Sequence, residues 1–376
     1  VNDPSSPVIL PTSPVILPTS PVILPEAGSP TVLIIGAGLI GTSIGLVLSE
    51  RGVPVYLTDD TPSHALVAES MGAGRAGVPD DARLVVVAVP PSAAGEVVVQ
   101  ALSDYPDATV TDVASVKVPV LEQVRAAGAD LARYVGSHPM AGSHRSGPLT
   151  ARADLFVDRT WVVAAGPEAE PARVDEVQRL AKACGSRVET MDPAEHDLAV
   201  AQVSHVPQIV SSLMAGTLTD IGASHLRLAG QGVRDVTRVA ASDPDMWTQI
   251  ITANRHMIRD QLVAMAASLD HLAGHLDSEE VVADFIRDGV AGTRALPGKH
   301  GRTAKDYVYV VVEIPDSPGS LARLFADVGT AGVNVEDVSI EHDPDRVVGY
   351  LSMTVEPDKA DALTAAMVDA GWRVRP

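Results

Sequence analysis

The chain has 376 residues, 46% of them hydrophobic, which is enough for two or three domains with their own cores. A formal net charge of −20 argues against nucleic acid and anionic membranes as partners. No apolar run approaches the roughly 18 residues of a membrane span. The single cysteine, Cys184, excludes a disulfide framework and a cysteine-rich metal site, so no metal is expected and a reduced, cytoplasmic setting fits.

Residues 1–30 carry "SPVILPT" at Ser6–Thr12 and again at Ser13–Thr19, then "SPVILPE" at Ser20–Glu26. Two prolines per repeat forbid helix, so a disordered, polyproline-like tail is expected, with a docking peptide as the alternative. A basic start and a long apolar stretch are both missing, which disfavours a signal peptide.

"TVLIIGAGLIGTSIGLVLSERG" (31–52) reads as a short buried strand, a G-x-G-x-x-G turn and a helix. Gly36 allows the tight turn, Gly38 lets a pyrophosphate approach the backbone, and Gly41 lets helix pack on strand. A second strand, Val53–Thr58, ends at Asp59, where a carboxylate holds the ribose of NAD and repels the 2′-phosphate of NADP. Asp60 is an adjacent candidate for the same role. Further strands are expected at 83–90, 108–113, 134–139, 160–165 and 186–191, with helices between most of them. This is a doubly wound, mostly parallel Rossmann-like domain over 31–191. The expected cofactor-binding set is Gly36, Gly38, Leu39, Ile40, Gly41, Asp59, Val89 and Pro90.

Ligands of such sheets bind beyond the C-terminal strand ends, where Pro90, Asp112, Ser115 and His138 all fall. In "TDVASVK" (111–117), Ser115 either caps the next helix or reaches the nicotinamide or a substrate hydroxyl. In "GSHPMAGSH" (136–144), His138 and His144 compete for a catalytic role.

Residues 192–295 read as helical, with Ala194–Asp220, Met246–His275 and 279–290 as the main helices. "AQVSHVPQIV" (201–210) sets Ser204, His205 and Gln208 around a proline; His205 is either a core residue or a pocket residue. "GQGVRDVTRVAASDPDMW" (230–247) is expected to be a charged loop. Its Arg234 and Arg238 suit a carboxylate substrate, and Asp235 is expected to pair with one of them. Residues 296–306 form a Pro/Gly/Lys-rich linker. Residues 307–376 read strand, helix, strand, strand, helix, strand, a split ferredoxin-like α+β unit.

The stretches "GAGLIGTS", "DVASVK", "SHPMAGS", "SHVPQ" and "GVRDVTRVAASDPDMW", in this order, resemble the prephenate/arogenate dehydrogenases of tyrosine biosynthesis over roughly residues 31–295. The resemblance implies a dinucleotide domain, an all-helical substrate and dimerisation domain, a homodimer, and oxidative decarboxylation of prephenate with NAD⁺. It implies that His138 is the catalytic base and that Ser115 bonds the substrate hydroxyl. Arg238 then clamps the ring carboxylate, and Ser204, His205 and Gln208 line the substrate pocket. The usual motif reads S-H-L-P-H; here Gln208 replaces its second histidine. His144 stands where many members carry a gating glutamate.

Prephenate carries a hydroxyl at C4 and a carboxylate at C1 of a cyclohexadiene ring. Oxidation at C4 requires removal of the hydroxyl proton, for which neutral imidazole suits pH 7, and loss of CO₂ then aromatises the ring. Arogenate specificity and dual specificity remain alternatives. A β-hydroxyacid dehydrogenase is disfavoured, because residues 192–295 contain no lysine to act as its base. A non-catalytic amino-acid sensor is the remaining class. The turn Asp316-x-Pro318-Gly319-x-Leu321 and the Asn334 loop resemble an ACT regulatory domain. That resemblance implies an amino-acid effector, tyrosine on this reading, near Asp316, Gly319 and Asn334; a ligand-free dimerisation module is the alternative.

Overall fold

The structure is a computed structural model that describes residues 30–142, 146–296, 307–342 and 348–375. The repeat tail, His144 and most of the 296–306 linker lie outside the described residues. The chain divides into two compact units: Val1–Arg227 with Val236–Ala264, and Leu228–Asp235 with Met265–Pro376. By contacts, the helical residues up to Arg227 and Val236–Ala264 group with the first sheet, and Leu228–Asp235 with the second unit.

The first unit is built on an eight-stranded sheet. Its strands are β1 (Val32–Ile35), β2 (Val55–Thr58), β3 (Arg75–Ala76), β4 (Leu84–Val87), β5 (Thr109–Asp112), β6 (Tyr134–Pro139), β7 (Thr160–Ala164) and β8 (Arg187–Thr190). Their order is β3-β2-β1-β4-β5-β6-β7-β8, and every pair is parallel except β6 with β7. β3 was not expected; its two residues carry no apolar run to reveal a strand.

Near-continuous apolar runs such as Leu84–Val87, buried along their whole length, follow from helices covering both faces of the sheet. The winding reverses between β1 and β4, whose ends Ile35 and Val87 are directly paired. A crevice opens there at the C-terminal strand ends, the usual ligand position in this architecture.

The helical part of this unit starts where Asp192 caps Pro193–Val200, accepting from the Ala194 and Glu195 amides at 2.8 and 2.9 Å. The helix continues to Asp220, but Ala201–His205 winds as a π-helical turn. Pro207 has no N–H to complete a regular ladder through this stretch, and π-turns recur at functional sites. Contrary to the sequence expectation, Pro193–Asp220 is long and apolar enough, by length and composition, to cross a membrane. Its buried His196, Asp197 and His205 instead bond to partners within this unit.

Two further expectations are corrected. The charged stretch 230–247 is not a loop: Gln231–Thr237 is helical, Arg238–Ala240 is a 3-10 turn, and a helix begins at Pro244. Asp243 supplies the cap of that last helix by accepting from the Met246 amide at 2.9 Å. The long helix expected over Met246–His275 is interrupted at Asn254, giving Pro244–Ala253 and Arg255–Ala273.

The second unit contains a four-stranded antiparallel sheet of β9 (Val308–Pro315), β10 (Asp337–His342), β11 (Val348–Val355) and β12 (Arg373–Arg375). The order β10-β11-β9-β12, with helices Ser320–Thr330 and Pro357–Asp369, is the expected split ferredoxin-like arrangement. Alternate residues of β11 are buried, and its Leu351 and Met353 pack with Leu324, Leu363 and Met367.

Candidate active site

The site is built entirely within the first unit. At the β1–helix turn, Gly36 adopts φ 106°, and a Cβ there would sit 2.3 Å from the Ala88 carbonyl oxygen. A Cβ on Gly41 would lie 1.9 Å from the Gly36 oxygen, whereas one on Gly38 meets nothing within 4 Å. Two glycines therefore let the backbone close on itself, and the third leaves an open approach for a dinucleotide's phosphates at a helix N-terminus. Asp59 lies beside this turn. Its carboxylate accepts from the Ala37 amide at 2.7 Å and the Thr61 amide at 2.9 Å, and it contacts His64 Nδ1 at 3.1 Å. These residues fit a dinucleotide. Leu39 and Ile40 open the helix and pack into the core, while Val89 and Pro90 follow β4, Pro90 exposed at the head of the next helix.

Asp112 and Gly136 are paired across β5 and β6, so the turn carrying Ser115 and the strand end carrying His138 leave the same edge of the sheet. Beneath them lies a buried charge. Lys117 donates to the Asp112 carboxylate and, at 2.6 Å, to the Ser137 carbonyl. The Asp112 carboxylate also accepts from the Tyr134 hydroxyl at 2.6 Å and the Ala114 amide at 2.9 Å. Burial pushes the Lys117 ammonium below its ordinary range, with Asp112 opposing that shift.

His138 Nδ1 lies 2.9 Å from His196 Nε2. His196 Nδ1 lies 2.7 Å from an Asp197 carboxylate oxygen. Asp197 also accepts from the Lys117 and Val118 amides at 2.8 and 2.9 Å, so it ties this helix to the β5 turn. Its own carbonyl accepts from Asn254 Nδ2 at 2.7 Å, and the same amide nitrogen donates to His205 Nδ1 at 3.1 Å. His205 therefore carries its proton on Nε2, as a donor. Burial pushes its pKa down to about 4, so it is neutral near pH 7. Burial, then the neighbouring His196, Lys117 and His205, hold His138 well below the ordinary histidine range. The Trp247 ring meets the His205 ring edge-on at 6.1 Å between centroids.

The remaining expected residues are spread more widely. Ser115 and Ser204 are half-buried. Gln208 is buried, with Nε2 3.4 Å from the Ser212 hydroxyl. Arg238 is exposed on a turn that packs against Val206–Thr217, and no hydrogen bond brings it to His138 among the described residues. Asp235 does not pair with an arginine among the described residues; it accepts from Gln231 at 2.7 Å. In the second unit, Asp316 lines a pocket of about 100 Å³ with Ile314, Ser317, Ser320 and Leu321. Gly319, at φ 89°, and Asn334, bonded to Glu336 at 2.7 Å, are not among its walls.

Sequence reasoning missed His196, Asp197 and Asn254. The first two stand as an adjacent His–Asp pair on the helix that leads into "SHVPQ". Asn254 stands among other polar residues, next to Arg255 and His256, and nothing local sets it apart.

A glycine turn heading a doubly wound sheet, with one imidazole at a strand end and two more on the helix that follows the sheet, defines the dinucleotide-binding dehydrogenase class. Residues 44–190 match the family model "Prephenate dehydrogenase, nucleotide-binding domain", and residues 192–287 match "Prephenate dehydrogenase, dimerization domain". A probable prephenate dehydrogenase, NovF of Streptomyces niveus, is 36% identical over 91% of this chain and 98% of its own. The prephenate dehydrogenase of Bacillus subtilis is 28% identical over 87% of this chain and 92% of its own. A solved prephenate dehydrogenase from A. aeolicus, in complex with hydroxyphenyl propionate and NAD⁺, superposes with a TM-score of 0.64 at 26% identity, covering 72% of this chain and 99% of that one. The chain belongs to the prephenate dehydrogenase family.

Proposed function

We propose that this protein oxidatively decarboxylates prephenate to 4-hydroxyphenylpyruvate, using NAD⁺. The observation that carries this reading is His138, an imidazole kept neutral by burial at a strand end of the nucleotide-binding sheet. NAD⁺, held at Gly36–Gly41 and Asp59, supplies the hydride acceptor. His138 Nε2 takes the C4 hydroxyl proton, Ser115 orients that hydroxyl, and His205 offers its Nε2–H to the substrate. Arg238 answers the carboxylate without neutralising it so deeply that CO₂ is retained. The electrons of the breaking C1–carboxylate bond enter the ring, and the proton held on His138 returns to the phenolate oxygen.

Prephenate is preferred over arogenate because arogenate's ammonium needs a carboxylate partner in the pocket. Asp197 is fully engaged by two amides and His196, and Asp235 already accepts from Gln231. Turnover of each substrate with NAD⁺ and NADP⁺ tests this reading. A tenfold or greater advantage in kcat/KM for arogenate would overturn the substrate assignment.

Cofactor preference rests on Asp59, whose carboxylate repels a 2′-phosphate. Asp59→Ser should shift the kcat/KM ratio toward NADP⁺ and raise KM for NAD⁺, because the bond to the Ala37 amide is lost as well. A wild-type preference for NADP⁺ contradicts the assignment.

A homodimer is supported by exposed apolar side chains on the helices of the dimerisation region, among them Val263 and Leu269, at 63% and 53% exposure. The C-terminal unit is read as an ACT-like effector domain, and its pocket at Asp316 is the place for an amino acid. Tyrosine at millimolar levels should slow the full-length enzyme; an unchanged rate would reduce the unit to a scaffold.

A further inference from the structure

We infer that His196 and Asp197 form a positioning relay that holds His138 in the tautomer able to act as a base. The inference rests on the proposed role of His138 and deepens it.

The hydrogen positions are fixed outward from Asp197. An ionised carboxylate only accepts, and this one already accepts from the Lys117 and Val118 amides. The contact at 2.7 Å therefore requires the proton of His196 on Nδ1. A neutral His196 then has a bare Nε2, which can only accept. The group 2.9 Å away is His138 Nδ1, which must donate. His138 is left with its proton on Nδ1 and a lone pair on Nε2, the nitrogen remaining for substrate.

The opposite assignment, with Nε2 of His138 protonated, would aim an N–H at a hydroxyl whose proton has to be removed. The arrangement follows the logic of a hydrolase triad, with an imidazole inserted between base and carboxylate.

Once Nε2 accepts the substrate proton, the cationic charge need not stay on one buried ring. Proton motion from His138 Nδ1 to His196 Nε2 places it beside Asp197. The groups facing His138 are His196 and His205 from the helix leading to Asp220 and Lys117 from the β5 turn. Lys117 is matched by Asp112. Asp197 is thus the carboxylate aligned with the relay. His196 is entirely buried, and its ring meets that of His138 edge-on at 5.2 Å.

The test combines spectroscopy and kinetics. In the wild-type protein, long-range ¹H–¹⁵N correlation of the histidine rings near pH 7 should show His138 protonated at Nδ1 alone; protonation at Nε2 overturns the proposal. His196→Leu removes the acceptor. It should lower kcat by roughly 10²-fold with KM nearly unchanged, and should move the acid limb of kcat to higher pH, because His196 is one of the neighbours that hold His138 below its ordinary range. His196→Gln keeps an oxygen to accept from His138 and a nitrogen to donate to Asp197, so it should recover most of kcat. Equal kcat and pH profiles for wild type and His196→Leu overturn the relay. So does an inactive His196→Gln that binds NAD⁺ and melts like wild type. Absence of turnover in the wild type on either substrate would instead overturn the proposed function, leaving the tautomer measurement to decide the relay.

Discussion

His138→Asn is expected to retain substrate and NAD⁺ binding while losing about 10²–10⁴-fold in kcat, the usual contribution of a positioned general base. Asparagine places an amide nitrogen near the position of imidazole Nδ1, so the bond to His196 can persist and the strand end need not move. What disappears is the proton acceptor on the far side of the ring. The pH profile gives an independent reading. The base works only when unprotonated, and the fold holds His138 well below the ordinary histidine range. The wild-type acid limb should therefore lie below that range, with activity flat through neutrality, and the residual rate of the variant should lack this limb. Near-normal kcat in His138→Asn, with an inactive His144→Asn, would transfer the role to the other histidine.

How much of this was legible in the sequence depended on whether a signal was local. Gly36, Gly38, Gly41 and Asp59 could be read because a turn, a close backbone approach and a strand end each demand one residue type at a fixed spacing. Their geometry agrees with that demand, since added Cβ atoms at Gly36 and Gly41 would collide with backbone oxygens. The strands were legible for a similar reason: residues covered on both faces must be apolar throughout. The helix Gln231–Thr237 was not, because it is only seven residues long and its Gly232 and adjacent Arg234 and Asp235 resemble a loop.

The relay lay beyond local reading for a different reason. His196 and Asp197 acquire their meaning only when β6, the β5 turn and a helix some 60 residues later in the chain come together, as the 58-residue separation of His138 from His196 shows. Periodicity marks such residues as buried positions but does not say what they touch. Asn254 illustrates the same limit. In sequence it is one polar residue among several, beside Arg255 and His256, whereas in the fold one amide nitrogen joins Asp197 to His205 and so sets which nitrogen of His205 faces outward.

Lys117→Met is expected to destabilise the protein by about 3–5 kcal/mol, the typical consequence of leaving one partner of a buried ion pair alone. Lys117 and Asp112 are 1% and 0% exposed, so water cannot take over the solvation of either charge. Methionine keeps the apolar stem, which confines the loss to the ammonium. Asp112 would retain the Tyr134 hydroxyl and the Ala114 amide but no cation. The loss should appear as a lower urea midpoint at unchanged slope. Replacing both partners, Lys117→Met with Asp112→Asn, should recover most of it, since an uncharged pair has no isolated charge to bury. A single variant as stable as wild type would mean that Asp112 holds a proton of its own. The same change reaches the chemistry, because the Lys117 cation helps to hold His138 below its ordinary range. Without that charge the imidazolium becomes easier to form, and the acid limb of kcat should move to higher pH in the single variant. In the double variant stability should return while the limb stays above its wild-type position, because the cation is still missing. Stability and pH profile would then separate, and a purely structural role for the pair would keep them together.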